Sequence, residues 1–209
     1  MILIEACVDS VAAALTAEAG GADRVELCAD LMVGGVTPSA GTMSVAGERL
    51  AIPLHVLVRP RGGNFILFDD DLEVMRRDIA MARAARAAGV VIGALTPMGE
   101  VDRETTARLI GWVRPMSVTY HRAFDVARDP FEALDVLLEL GVDRILTSGQ
   151  AETASQGAEL IGSLVRRAGT GAVIIAAGGI RAHNVAETVR RAGVSEVHSG
   201  DVTGFRQAL

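Results

Sequence analysis

The chain contains no lysine: all twenty of its basic residues are arginine. Chemistry that runs through a lysine Schiff base is therefore excluded. Aromatic residues make up only 3%. The core falls to Ala, Val, Leu, Ile and Gly, which suits layered α/β packing better than an aromatic-rich sandwich. Two cysteines are too few for a disulfide framework and, without a secretion signal, read as reduced thiols. The formal net charge is −6, which argues against nucleic acid or an anionic membrane as the main partner. No apolar run reaches the roughly 20 residues of a membrane-spanning helix. The N-terminus is interrupted by Glu5 and has no basic region before it, so it does not read as a signal peptide. A cytoplasmic location is the resulting expectation.

What is present is a regular alternation. Apolar runs at 2–7, 24–28, 54–59, 90–95, 117–121, 144–147, 172–177 and 196–198 read as strands. Helical patterns separate them, ending at 19 and then covering 39–50, 70–88, 103–111, 129–140, 154–168 and 182–192. Asp9 or Ser10 caps the first helix, and Thr37-Pro38 reads as an N-cap followed by proline at the first helical position. Gly21, Gly89, Gly141 and Gly193 each read as the left-handed residue that ends a helix before a strand. Eight strand signals in 209 residues, with no linker, predict a single (β/α)8 TIM-type barrel domain over 1–209. The tail from Ser199 to Leu209 is too short for a full eighth helix. A doubly wound open sheet is the alternative, and it usually needs fewer strands.

Two of these strands end alike, in Glu5-Ala6-Cys7 and Glu26-Leu27-Cys28. Residues two apart in a strand share a face, so each strand aims a carboxylate and a thiol at one side. Placing Ile4, Val25, Leu27, Val56, Val58, Val118 and Tyr120 outward against helices leaves Glu5, Cys7, Glu26, Cys28, His55, Arg59, Thr119, His121, Glu196 and His198 inward. That interior is more polar than packing requires. A buried, self-neutralising network is one reading. The other is a site at the strand C-terminal ends, where barrel enzymes place theirs. In that reading Glu5, Glu26, His121 and Asp125 are the candidate acid–base residues. Arg59, Arg61, Arg122, Gly179 and Ser199 are the candidate binders of a small carboxylated or phosphorylated metabolite. Each also has a plain structural reading: Gly-rich turn, surface ion pair or cap. Cys7 and Cys28 are the candidate ligands for a soft metal such as Cu(I), though a lone buried cysteine is often an inert small hydrophobe.

Six segments carry a family resemblance. Arg24-Val25-Glu26-Leu27-Cys28, Gly34-Gly35-Val36-Thr37-Pro38-Ser39, Arg59-Pro60-Arg61-Gly62-Gly63, His121-Arg122-Ala123-Phe124-Asp125, Leu146-Thr147-Ser148-Gly149-Gln150 and Glu196-Val197-His198-Ser199 follow one another in the order of the CutC family. The chain resembles these copper homeostasis proteins from about Ile2 to Ser199. The resemblance implies a TIM-type barrel, a cytoplasmic homo-oligomer and a role in copper handling, with Cu(I) held by cysteines. By position, Cys7 and Cys28 inherit that role. The expected partner is a copper ion or a small anionic metabolite, with no nucleic acid and no membrane.

Overall fold

A computed structural model describes residues 1–209. Its elements alternate strictly. They are β1 Leu3–Val8, α1 Val11–Ala19, β2 Arg24–Leu27, α2 Ala40–Arg49, β3 Leu54–Leu57, α3 Asp69–Ala84, β4 Gly89–Ile92 and α4 Arg103–Val113. The second half continues with β5 Ser117–Tyr120, α5 Pro130–Leu140, β6 Arg144–Thr147, α6 Ala158–Ala168, β7 Val173–Ala177, α7 Val185–Ala192, β8 Glu196–Ser199 and α8 Phe205–Ala208. All eight strands are parallel, and β8 pairs with β1 to close the barrel. The expected single (β/α)8 barrel is the observed fold. Its last helix is one turn, anchored by the buried ring of Phe205. No helix is long and apolar enough to cross a membrane.

Local chemistry explains the boundaries. Asp129 accepts from the Phe131 and Glu132 amides, Pro130 opens α5, and Gly141 ends it in the left-handed region. Ser10, not Asp9, caps α1. The cap of α2 is Ser39 rather than Thr37: the Thr37 hydroxyl is taken by the backbone of Arg59, bonding both its carbonyl and its amide. α3 stops four residues before the expected end, because Arg86 takes the left-handed turn that was expected of Gly89. Gly89 has another task. A Cβ there would lie 2.6 Å from the His55 ring, so the glycine makes room inside the barrel.

The strand residues expected to face outward do so. Ile4, Val25, Leu27, Val56, Val58, Val118 and Tyr120 join the apolar layer between barrel and helices. α3 meets it with Leu72, Met75, Ile79 and Ala82, at the three- and four-residue spacing of one helix face. Inside the barrel the packing is split. Leu57, Val91, Leu146 and Ile175 form a small apolar cluster with Cys28. Arg24, Glu5, Glu196 and Arg144 form an ionic floor on the side where the strands begin.

α2 packs on the end of α3 at Gly47, where a Cβ would sit 1.9 Å from the Ala85 carbonyl oxygen. On an exposed helix, Gly→Ala gains about 1 kcal/mol. Here Gly47→Ala is expected to lose about 1–3 kcal/mol by overpacking. Urea unfolding gives the sign, and a stabilised variant would show that the two helices part freely.

Candidate functional site

The register of three neighbouring strands builds the site. Cys7 pairs with Glu26 across β1 and β2, and Glu5 pairs with His198 across β1 and β8. All four point inward. His198 Nδ1 lies 2.8 Å from Glu5 Oε1 and 3.4 Å from Glu26 Oε2. The Cys7 sulfur, a Glu26 oxygen and a His198 nitrogen lie within 4.8 Å of one another. Cys28 stands beside them, its sulfur 3.8 Å from that of Cys7 and 3.6 Å from Glu26 Oε1. Cys7, Glu26, Cys28 and His198 open on a cavity of about 230 Å³ at the C-terminal mouth of the barrel, walled by Leu57, Phe65 and Leu146. A depression of about 260 Å³ on the outer wall, beside Arg103 and Glu132, offers neither thiol nor histidine. The barrel mouth is where the chemistry lies.

The environments of these groups diverge. A hydrogen bond from Cys28 and contact with His198 bring the Cys7 thiol down to about 5, against the pull of burial. Donating that hydrogen bond, together with burial, pushes the Cys28 thiol well up. Burial lifts Glu26 to about 8, so at neutral pH it stands as a carboxylic acid. Burial works against charge on His198, but Cys7, Glu26 and Glu5 outweigh it and raise its pKa well above the ordinary range. Burial opposes charge on Glu5 too; hydrogen bonding and charge from His198, with Arg24 and His55, overcome it and hold Glu5 ionised. The result is a thiolate and an imidazolium in contact, backed by a carboxylate and flanked by a neutral acid and a neutral thiol.

The other residues singled out from the sequence fall in different places. His121 lines the cavity, and its Nδ1 accepts from the Ala123 amide at 3.1 Å, which places the ring proton on Nε2. Gly93 makes room for it: a Cβ there would lie 2.2 Å from the ring. Arg59 also lines the cavity. Its two terminal nitrogens donate to the carbonyls of Val33, Gly35 and Gly63, so it ties two loops together over the mouth, while its buried Nε has no partner. Arg122 stands on the rim, paired with Asp125 at 2.7 Å and with Ser148. Asp125 is outside the cavity, bonded to Thr147 and the Ser148 amide. Arg61 lies away from the mouth, on Asp71 and the Ile66 carbonyl. Ser199 donates to the Ile180 carbonyl, and Gly179 accepts from Asn184; neither lines the cavity.

Three parts of the site went unread in the sequence. Arg24 and Arg144 begin their strands and fall two residues before the inward Glu26 and Leu146, so the same alternation carries both. His198 faces inward by the same alternation, which by itself gives it no role. Its signal is the Glu196-Val197-His198 spacing, which repeats the Glu-x-Cys pattern with an imidazole in place of the thiol.

Burial also sets an acid response. His121 is held down to about 3 and His55 to about 4, both chiefly by burial. An unfolded histidine titrates near 6.5, so below that pH the unfolded chain takes up protons that the fold refuses. Stability from these two residues is whole above about pH 6.5 and falls as pH drops toward their folded values. Between pH 7 and 5 each contributes a loss of about 2 kcal/mol. His121→Asn is expected to shrink the wild-type loss by about that amount in urea unfolding at the two pH values. An unchanged pH dependence would mean that His121 is charged or solvated in the fold.

The CutC family model matches residues 2–203. A human protein named copper homeostasis protein cutC homolog is 45% identical over 196 residues, covering 94% of this chain and 72% of that protein. A CutC family protein of Porphyromonas gingivalis is 47% identical over 197 residues, covering 94% of this chain and 79% of its own. Among solved structures, a CutC crystal structure from Streptococcus agalactiae superposes with a TM-score of 0.93 at 33% identity, covering 97% of this chain and all of that one. Similarity of this extent across nearly the whole barrel leaves one assignment: the chain belongs to the CutC family of copper homeostasis proteins.

Proposed function

We propose that the protein binds copper(I) between the sulfurs of Cys7 and Cys28. The observation that carries this reading is their 3.8 Å separation, taken with the strand register. Cys7 pairs with Glu26, so Cys28 stands two residues further on, just past the end of β2. Two residues of rise and one strand spacing set the two Cα atoms about 8 Å apart. A disulfide needs them within about 7 Å and the sulfurs at about 2.05 Å. The thiols are thus close but poorly placed to oxidise onto each other. Two sulfurs each about 2.3 Å from a shared thiophilic ion span at most about 4.6 Å, so a metal fits with little movement.

The surroundings suit a soft, singly charged ion. Thiolate selects Cu(I) over harder ions, and Leu57, Phe65 and Leu146 give the sulfurs an apolar wall. Two thiolates around Cu(I) carry one net negative charge, which the His198 imidazolium beside Cys7 balances. Binding releases the Cys28 proton, so affinity rises with pH.

The test is a Cu(I) titration against a competing chelator in reducing buffer. The wild type is expected to take one copper per chain. Cys7→Ser and Cys28→Ser are each expected to lose more than the roughly 10- to 100-fold that removal of an outer-shell partner costs, and the double variant to fall to background. Circular dichroism checks that each variant keeps the fold. Copper retained by the folded double variant, or none taken by the wild type, would end the reading.

A further inference from the structure

Holding a soft ion needs two sulfurs, an apolar wall and a balancing positive charge. It does not need an imidazole fixed by a buried carboxylate beside one of the sulfurs. We propose that Cys7, His198 and Glu5 form a nucleophile–base–orienter relay, and that Cys7 attacks the carbonyl carbon of a small acyl compound, an ester or thioester, seated in the cavity above it.

The geometry has each part. The Cys7 sulfur is half-buried, lines the cavity and lies within 4.8 Å of a His198 ring nitrogen. Glu5 Oε1 holds His198 Nδ1 at 2.8 Å, which fixes the ring beside the sulfur with which it exchanges a proton. Glu5 is itself fixed from behind by Arg24. His121 lines the same cavity with its proton on Nε2, as a neutral donor to developing oxyanion charge. Glu26 adds an independent sign of a ligand: it is 4% exposed, lines the cavity, and its Oε2 has no hydrogen-bond partner within the chain. Cys7, Glu26, His198 and His121 lie toward the C-terminal ends of their strands, where barrels assemble active sites. A cavity of about 230 Å³ admits an acyl group of a few heavy atoms.

The chemistry balances with water as the only co-reactant. The Cys7 sulfur forms a bond to the acyl carbon as the carbonyl π pair moves to oxygen. Collapse expels the alkoxide or thiolate, which takes the proton from His198, and leaves an acyl-Cys7 thioester. His198 then takes a proton from water, hydroxide adds to the thioester, and the Cys7 sulfur leaves. One ester bond is hydrolysed and nothing is oxidised or reduced. The relay acts in the metal-free protein and does not rest on the copper reading.

The test uses p-nitrophenyl acetate with metal-free protein in reducing buffer. The wild type is expected to release a burst of one p-nitrophenolate per chain and to carry one acetyl group on the Cys7 peptide by mass spectrometry. Cys7→Ser is expected to abolish both. His198→Gln is expected to slow acetylation about 100-fold or more, the share a positioned general base supplies, while copper titration of the same variant reports separately on the metal reading. Should His198→Gln fail to fold, the wild type still decides. Acetylation of Cys7 no faster than that of Cys28 or of free cysteine would overturn the relay, as would an undiminished rate in folded His198→Gln.

Discussion

Arg24→Met is expected to destabilise the protein by about 3–5 kcal/mol, the cost of leaving buried carboxylates without their cation. Arg24 is 3% exposed and sits between Glu5, 0% exposed, and Glu196, 7% exposed. Its Nε bonds Glu5, and its second NH group bonds Glu196 at 2.5 Å. Removing it leaves Glu196 with Arg144 at 3.3 Å, and Glu5 with His198 and a distant His55. The loss comes from desolvated charge and not from volume, so two further results should follow. The destabilisation should shrink as pH falls toward 4, where unpaired carboxylates take up protons cheaply. Adding Glu5→Gln and Glu196→Gln to Arg24→Met should recover part of the stability, since no buried carboxylate is then left without its cation. Denaturant midpoints at pH 7 and pH 4 measure all three. An Arg24→Met protein within about 1 kcal/mol of wild type would mean that water reaches the barrel floor.

The same floor shows what the sequence can and cannot convey. Eight short apolar runs with glycine at the junctions specify the barrel because strand alternation and left-handed turns are local properties. Alternation also brings Glu5, Cys7, Glu26, Cys28 and His198 to one interior, which register then closes into contact. The loops escape this kind of reading. Ala154 to Gly157 has helical composition, yet α6 begins only at Ala158. A Cβ on Gly157 would meet the Ser148 carbonyl oxygen at 2.0 Å, so that stretch packs as a turn against the β6 loop. Arg59, Arg61 and Arg122 read as anion binders because guanidinium groups beside glycines suit anions. Their actual partners are carbonyls and carboxylates brought in by loop geometry that no periodicity encodes. Gly89 and Gly93 were legible as glycines but not as the hollows that receive His55 and His121.

The site is therefore a contrast between two halves of one mouth. On the β8–β1–β2 side, ionisable groups touch one another and face the cavity, so their protonation is coupled to whatever enters. On the β5–β6 side, the polar groups outside the His121 ring are turned to holding loops. His121 is buried neutral, and Arg122 is neutralised by Asp125 on the rim. A ligand meets sulfur, imidazole and a protonated carboxyl on one side, a fixed wall with Arg122 neutralised on the other, and the Arg59 guanidinium, which has no carboxylate partner, between them.

Asp125→Ala tests that division. Asp125 is 8% exposed at its side chain. Its Oδ1 accepts from the Thr147 hydroxyl at 2.5 Å and from the Ser148 amide at 2.9 Å, and its Oδ2 takes Arg122 at 2.7 Å. Oδ1 also receives the amide of Gln150, which sits at a φ of 53° in the left-handed region. One carboxylate thus holds the turn after β6 in a conformation that costs a non-glycine residue about 1 kcal/mol or more. Hydrogen bonds to a charged acceptor contribute about 1.5–3 kcal/mol each, and the alanine variant loses at least two buried ones. The expected cost is about 3–5 kcal/mol by urea unfolding. Asp125→Asn keeps an accepting oxygen and forfeits mainly the half-exposed pair with Arg122, so about 1 kcal/mol is expected. Because Asp125 does not line the cavity, copper(I) affinity should be unchanged in the folded fraction of both variants. Full stability in Asp125→Ala with a loss of copper binding or of Cys7 acetylation would invert the division, making Asp125 part of the chemistry and not of the frame.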